Sequence, residues 1–217
     1  MNNSTVRRRC LRTLAGLPLL GLAGCSVERK DDPPALIKRS GEVMRGRPET
    51  PYVPTEPEVV DAMLEMAQIR PGDRLYDLGS GDGRIVIRAA EKYGIPADGF
   101  EIERLPLKFA RENLAKTNLA HLVTFHEQDL FTVDLTPANV VTLFLLPRIN
   151  ERLKPQLRKL RPGSRIVGHT FDIAGTVPER VEVVRTASGE ERKVFLWIMP
   201  WKEVESAPSD AAPRATP

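Results

Sequence analysis

The chain has 217 residues, of which 32 are basic and 29 acidic, and only two cysteines. Residues 1–24 hold four arginines and no acidic side chain, so the remaining residues carry 28 basic groups (32 less those four) against 29 acidic ones, which excludes a basic footprint for nucleic acid. The cysteines are Cys10 and Cys25, so residues 26–217 can form no disulfide, no thiolate metal site and no cysteine nucleophile.

In chain order, Arg7-Arg8-Arg9 precede an apolar stretch over residues 11–23 that contains Gly16, Pro18 and Gly21. The stretch is shorter than the ~20 residues of a membrane-spanning helix and ends in small residues, as a secretory signal does. Leu22-Ala23-Gly24-Cys25 resembles the lipobox of bacterial lipoproteins. That resemblance implies cleavage after residue 24, lipidation of Cys25, and membrane anchorage on the periplasmic face. The run from Val6 to Arg12 resembles a twin-arginine export signal, with Cys10 where an aromatic residue is usual. The alternative is a start codon set too far upstream of a cytoplasmic protein. Residues 25–50 are polar and proline-bearing and read as a tether. Residues 202–217 read as a disordered tail. Residues 51–201 have the size of one domain, expected to be monomeric.

Thr55 and Glu58 have capping-box spacing, and Pro57 suits the first turn of a helix that buries Val59, Met63, Met66 and Ala67. Pro71-Gly72-Asp73 marks a turn before a strand over residues 74–78. A helix is expected over 83–93, a strand over 97–102, a helix over 105–118 and a strand over 122–127. Residues 139–146 are strongly apolar, the pattern of a strand buried on both faces. A helix over 149–160 must kink or restart at Pro155. A strand over 165–169 and a hairpin from 181–185 and 194–200 close the domain. Strand–helix alternation implies an α/β fold, a parallel sheet covered on both faces.

The run Leu75-Tyr76-Asp77-Leu78-Gly79-Ser80-Gly81-Asp82-Gly83-Arg84-Ile85 carries the chemistry. It reads as a strand, an acidic D-x-G-x-G-x-G turn and the start of a helix, whose free N–H groups and glycines admit a nucleotide-like ligand. The dinucleotide fingerprint is G-x-G-x-x-G. Here the glycines run G-x-G-x-G, and Asp77 and Asp82 would repel a pyrophosphate. A ligand with a cationic amino-acid end fits better. The motif resembles the first motif of the class I S-adenosylmethionine (SAM) methyltransferases.

The resemblance narrows with Pro51-Tyr52-Val53-Pro54-Thr55 ahead of a helix, the Asp77 to Ile87 motif, and Val141-Thr142-Leu143-Phe144-Leu145-Leu146-Pro147. Together these resemble a bacterial methyltransferase group similar to the eukaryotic mitochondrial protein-lysine methyltransferases, across most of residues 51–172. The resemblance implies a Rossmann-like, mainly parallel seven-stranded sheet with an antiparallel C-terminal hairpin. It implies SAM as cofactor, a nucleophilic acceptor such as a protein lysine, and no metal. It also places the Tyr-Val-Pro-Thr segment over the cofactor, which makes Tyr52 and Thr55 binding candidates beside Gly79, Ser80, Gly81 and Gly83. Thr55 has helix capping as its competing role.

Three acidic residues fall at strand ends, where such sheets bind ligands. Glu101 lies about twenty residues past the glycines, where a carboxylate accepts from both ribose hydroxyls. Glu103 competes with it, with capping of the next helix as its other role. Asp77 would face the ammonium group. Asp129 resembles the residue that accepts from the adenine amino group, with Leu130 or Phe131 flanking the ring, or else it caps the turn before Thr132. The acceptor side is sparse. The Asn/Asp-Pro-Pro-Tyr/Phe run of amide and exocyclic-amine methyltransferases is replaced by Phe144-Leu145-Leu146-Pro147. His169 and Asp172 are weak candidates for orienting an acceptor, with a structural role for His169 the competing reading. A non-catalytic SAM- or nucleoside-binding lipoprotein is an alternative function. A Rossmann-type oxidoreductase is disfavoured by the glycine spacing.

Overall fold

The computed structural model describes residues 52–204. The expected signal, Cys25, the tether and residues 205–217 lie outside them.

Helix α1 (Pro57–Met66) is followed by β1 (Leu75–Leu78), α2 (Arg84–Tyr93), β2 (Ala97–Glu101), α3 (Arg104–Leu114) and β3 (Val123–Glu127). A 3-10 turn at Leu130–Thr132 leads to β4 (Val140–Leu143), α4 (Pro147–Leu157) and β5 (Arg165–His169). The chain then forms β6 (Thr176–Val177), β7 (Arg180–Arg185), β8 (Glu191–Ile198) and β9 (Lys202–Glu203). Seven strands make one sheet in the order β3-β2-β1-β4-β5-β8-β7. β1 to β5 run parallel, and β8 is antiparallel to both β5 and β7. This is the expected α/β arrangement, closed by the expected hairpin.

Alternation along each strand sorts side chains onto two faces. Leu75, Ala97, Val140 and Val167 pack with Val59 and Met63 of α1 and Ile85 and Ala89 of α2. Tyr76, Leu78, Val141 and Ile166 pack with Ile149, Leu153 and Leu157 of α4. Asp77 shares its face with Leu75, so a carboxylate is inserted into the α1–α2 side of the core at the end of β1. From β1 the chain moves to β2 and β3 on one side, then returns to β4 and β5 on the other. The loops leaving β1 and β4 therefore diverge, and a crevice opens at the carboxyl ends of those strands.

Several expectations are corrected. β4 ends at Leu143, not residue 146, because Leu146 is already the N-cap of α4 with Pro147 in its first turn. The apolar residues beyond β4 serve packing in the crevice. α4 begins two residues early and runs through Pro155 without restarting, ending at Leu157. α3 stops at Leu114, where the Thr117 hydroxyl donates to the Leu114 carbonyl at 2.8 Å. The Thr55–Glu58 capping box does not form. Glu56 is the N-cap of α1, without a side-chain cap, and Glu58 accepts instead from the Ala187 N–H at 3.2 Å. Regular structure also continues past Trp201, since β9 pairs with β6.

Gly99 faces Asp77 across the β1–β2 pair. A Cβ there would meet Phe125 Cδ1 and Ser80 Oγ at 2.7 Å and Ser80 Cβ at 2.8 Å. Gly99→Ala is therefore expected to cost about 1–3 kcal/mol of stability through overpacking, measured as a lower midpoint in urea unfolding.

Candidate active site

The turn after β1 is built from glycines in the left-handed region, with φ of 78° at Gly79, 54° at Gly81 and 78° at Gly83. Side chains other than glycine rarely adopt that geometry. The N–H groups of Gly79 and Ser80 both donate to the Phe100 carbonyl, at 2.9 and 3.1 Å, so the turn is fixed to the end of β2. Glu101 completes the attachment. Its Oε2 accepts from the Gly81 N–H at 3.0 Å and its Oε1 from the Glu103 N–H at 2.8 Å. Glu103 thus contributes its amide, and its side chain makes no cap. A carboxylate has about four acceptor positions. Two are used here, and one on each oxygen remains for a ligand.

Asp77 is 3 % exposed, and Thr142 Oγ1 donates to its Oδ1 at 2.7 Å. Burial pushes its carboxyl up to about 7; the Thr142 bond opposes the shift, and the charges of Glu101 and Asp82 add to it. No basic side chain pairs with it among the described residues. Asp82 is treated differently. Burial raises its carboxyl, but Arg84 outweighs that and holds it below the usual range. The Arg84 guanidinium donates to both Asp82 oxygens, at 2.9 and 2.7 Å. Its third bond, 2.7 Å to the Thr55 carbonyl, fastens the segment before α1 to the glycine turn.

That segment lies against the glycine turn. The Tyr52 ring occupies the space beside Gly81, with Cε2 2.6 Å from where a Cβ would stand. Burial raises the Tyr52 hydroxyl above its usual range, and Asp82 adds to the shift. Thr55 is buried, with its hydroxyl 3.4 Å from His169 Nδ1. Glu56 pairs with Arg192 of β8 at 2.9 Å. Residues 52–56 therefore form a strap held by α2 on one side and β8 on the other.

The remaining candidates separate. Asp129 is exposed, and its Oδ1 accepts from the Phe131 N–H at 2.9 Å, so it does cap the 3-10 turn. Phe131 is covered on one face by the Arg152 guanidinium, 3.9 Å from the ring centroid. The groove beside it, about 720 Å³ and lined by Phe131, Asp134, Arg152 and Gln156 among others, shares no residue with the glycine turn. His169 is buried at the end of β5, whereas Asp172 is exposed. Among the described residues, no cluster of His, Cys, Asp and Glu could hold a metal ion. Sequence reasoning missed Arg84, Thr142 and Phe144. Arg84 at the helix start was the available signal, since a cation there answers an adjacent acid.

The site fits a ligand carrying an adenosyl group and an amino-acid end. Glu101 keeps two preorganised acceptor positions. Asp77 is a buried acid with no paired cation. Ser80 Oγ is buried without a hydrogen-bond partner. A family profile described as the ANTKMT methyltransferase domain matches residues 77–180. A protein-lysine N-methyltransferase of Saccharolobus islandicus is 41 % identical over 155 residues, which covers 70 % of this chain and 95 % of the relative. The chain belongs to this methyltransferase family. The chain is also 34 % identical to the mouse adenine nucleotide translocase lysine N-methyltransferase over 137 residues, 62 % of this chain and 59 % of that one. A solved structure from Salinibacter ruber, described as an RNA methyltransferase in complex with S-adenosyl-L-homocysteine, is 45 % identical. It superposes with a TM-score of 0.63 and covers 73 % of this chain and 98 % of that one. Membership makes the protein a class I SAM-dependent methyltransferase.

The Arg84 guanidinium is what fastens the strap to the glycine turn. Arg84→Met removes its bonds to Asp82 and Thr55, each worth about 1.5–3 kcal/mol when charged. Amide exchange over residues 52–56 is expected to rise at least about tenfold, with the exchange of β1 and β4 unchanged, as read by mass spectrometry.

Proposed function

We propose that this methyltransferase acts on the ε-amine of a protein lysine. The observation that carries the reading is the 41 % identity to the Saccharolobus protein-lysine N-methyltransferase across nearly its whole length. The Salinibacter relative is described as acting on RNA. Charge favours protein, since residues 25–217 hold 28 basic and 29 acidic groups. Phe144-Leu145-Leu146-Pro147 after β4 also lacks the polar run suited to exocyclic amines.

In this reading, bound SAM supplies a methyl group already activated on sulfur. Glu101 accepts from the ribose hydroxyls, and its two backbone bonds fix its oxygens beforehand. Asp77 faces the ammonium group. Gly79, Ser80, Gly81 and Gly83 shape the turn against the amino-acid end, and Tyr52 and Thr55 close over it. Asp129 offers its second oxygen to the adenine amino group. An incoming lysine must lose its proton, which a dry pocket favours by disfavouring the charged form. No dedicated base is required.

The same proposal includes export. The signal over residues 1–24 and lipidation of Cys25 tether the enzyme domain to the membrane through residues 25–50. Export in the folded state would carry the cofactor along. Cytoplasmic residence from a later start codon is the competing outcome, and mass spectrometry of the mature N-terminus distinguishes the two.

Calorimetric titration with S-adenosylhomocysteine is the direct test of the site. Micromolar binding is expected, and Glu101→Ala should weaken it at least about tenfold. Binding that survives this substitution undiminished would remove Glu101 from the site.

Asp77 predicts a pH dependence. Its folded carboxyl is raised from 3.8 to about 7. Between those values the folded state keeps a proton that the unfolded state has lost, so this group's contribution to stability falls as pH rises through that window. A bound ammonium reverses the preference by favouring the carboxylate. S-adenosylhomocysteine should therefore bind more tightly as pH rises through about 7 and release a proton on binding. Asp77→Asn should abolish both effects, as measured in buffers of different ionisation heat.

A further inference from the structure

The register of the sheet lines up one row along the floor of the crevice. Leu78 pairs with Leu143, and Leu143 with Gly168. The next residues, Gly79, Phe144 and His169, therefore leave three neighbouring strands side by side. Two strand spacings separate the first from the last, about 10 Å. The Phe144 and His169 rings meet with centroids 4.0 Å apart. The strap covers this row through Thr55.

His169 is 1 % exposed, yet only half of its ring is satisfied. Nδ1 lies 3.4 Å from the Thr55 hydroxyl, while Nε2 is buried with no hydrogen-bond partner. A buried unpaired polar atom destabilises the fold, so a donor brought to Nε2 would be stabilising. Burial lowers its pKa to about 4; Glu56 opposes the shift and Arg192 adds to it, so the ring is neutral at physiological pH. The chain is also strained here. Thr170, a β-branched residue, has a φ of 65°, and the Phe171 N–H turns back to the His169 carbonyl at 2.7 Å.

We propose that His169 Nε2 accepts a hydrogen bond from the acceptor amine and holds that nitrogen at the end of the row, facing the glycine turn. The inference rests on the lysine-methyltransferase reading. With its proton on Nδ1, directed at the Thr55 oxygen, the ring keeps Nε2 as a bare, buried acceptor. The incoming ammonium gives its proton to water. One remaining N–H then bonds Nε2, leaving the nitrogen lone pair free. That lone pair forms the N–C bond while the C–S bonding pair returns to sulfur. The extra proton on the methylated nitrogen leaves to water. His169 orients the amine and is not a proton sink, since its ring resists protonation.

The test compares wild type, His169→Phe and His169→Gln in methyl transfer from labelled SAM to poly-L-lysine, with S-adenosylhomocysteine affinity and melting temperature measured in parallel. His169→Phe removes the polar atom, and the Gln carbonyl restores an acceptor. The expected result for His169→Phe is a kcat at least about tenfold lower with cofactor affinity unchanged. Its melting temperature should be equal or higher, and His169→Gln should recover part of the rate. Unchanged transfer by His169→Phe overturns the proposal. Lost cofactor affinity also overturns it, by moving His169 into the cofactor site.

If wild type binds S-adenosylhomocysteine but does not methylate poly-L-lysine, the lysine reading fails for that acceptor, and imidazole ¹⁵N resonances decide the inference separately. The chain has three histidines, so His121 and His126 serve as internal controls. Adding n-butylamine to the S-adenosylhomocysteine complex should move the His169 Nε2 resonance alone. A resonance that does not move overturns the proposal.

Discussion

Three carboxylates surround one glycine turn, and like charges so close in a poorly hydrated site repel strongly. The local architecture answers each of them differently. Asp82 is neutralised by Arg84, Glu101 is held by two backbone amides, and burial raises the Asp77 carboxyl towards neutrality. Each solution fixes something else. The amides that bind Glu101 set the shape of the turn. The guanidinium that binds Asp82 reaches on to Thr55 and holds the strap. Asp77, with its carboxyl raised to about 7, is poised to ionise fully for a cation that enters the crevice.

The sheet supplies what the turn cannot, a rigid row of positions at fixed spacing. Gly79, Phe144 and His169 stand where they do because of strand register, and register follows from burial on both faces of β1, β4 and β5. A one-residue slip would send Asp77 and His169 to the opposite face. The core clusters on the two faces are therefore what place the chemistry, and Leu75 and Val140 matter to the site although neither lies in it.

Much of this was legible in the sequence. The alternation of apolar strands with helices carries the sheet, and the glycine and acid spacing after residue 76 carries the turn to which Glu101 is bound. The errors share one cause. Residues 144–146 look like strand because they are apolar, yet Leu145 is apolar to pack against Gly79, and Phe144 to meet His169. Thr55 and Glu58 have the spacing of a cap, but His169 and Ala187 lie more than a hundred residues away in the chain and take their side chains. β6 and β9 are two residues each, too short to carry a periodic signal. Local pattern predicts local structure, and these residues are committed to distant partners.

The strap has a consequence for the order of assembly. Its contacts with His169 and Arg192 span 114 and 136 residues. Long-range contacts form late, because the intervening chain must first be ordered. During synthesis, residues 52–56 emerge ahead of the domain but cannot be fully fastened until β8 has docked against β5. β1, β2 and β3 can pair well before then. The first segment of the domain to be made is thus among the last to be locked, and the crevice stays open through most of folding. A ligand can be enclosed as the chain closes, without having to pass beneath a finished strap.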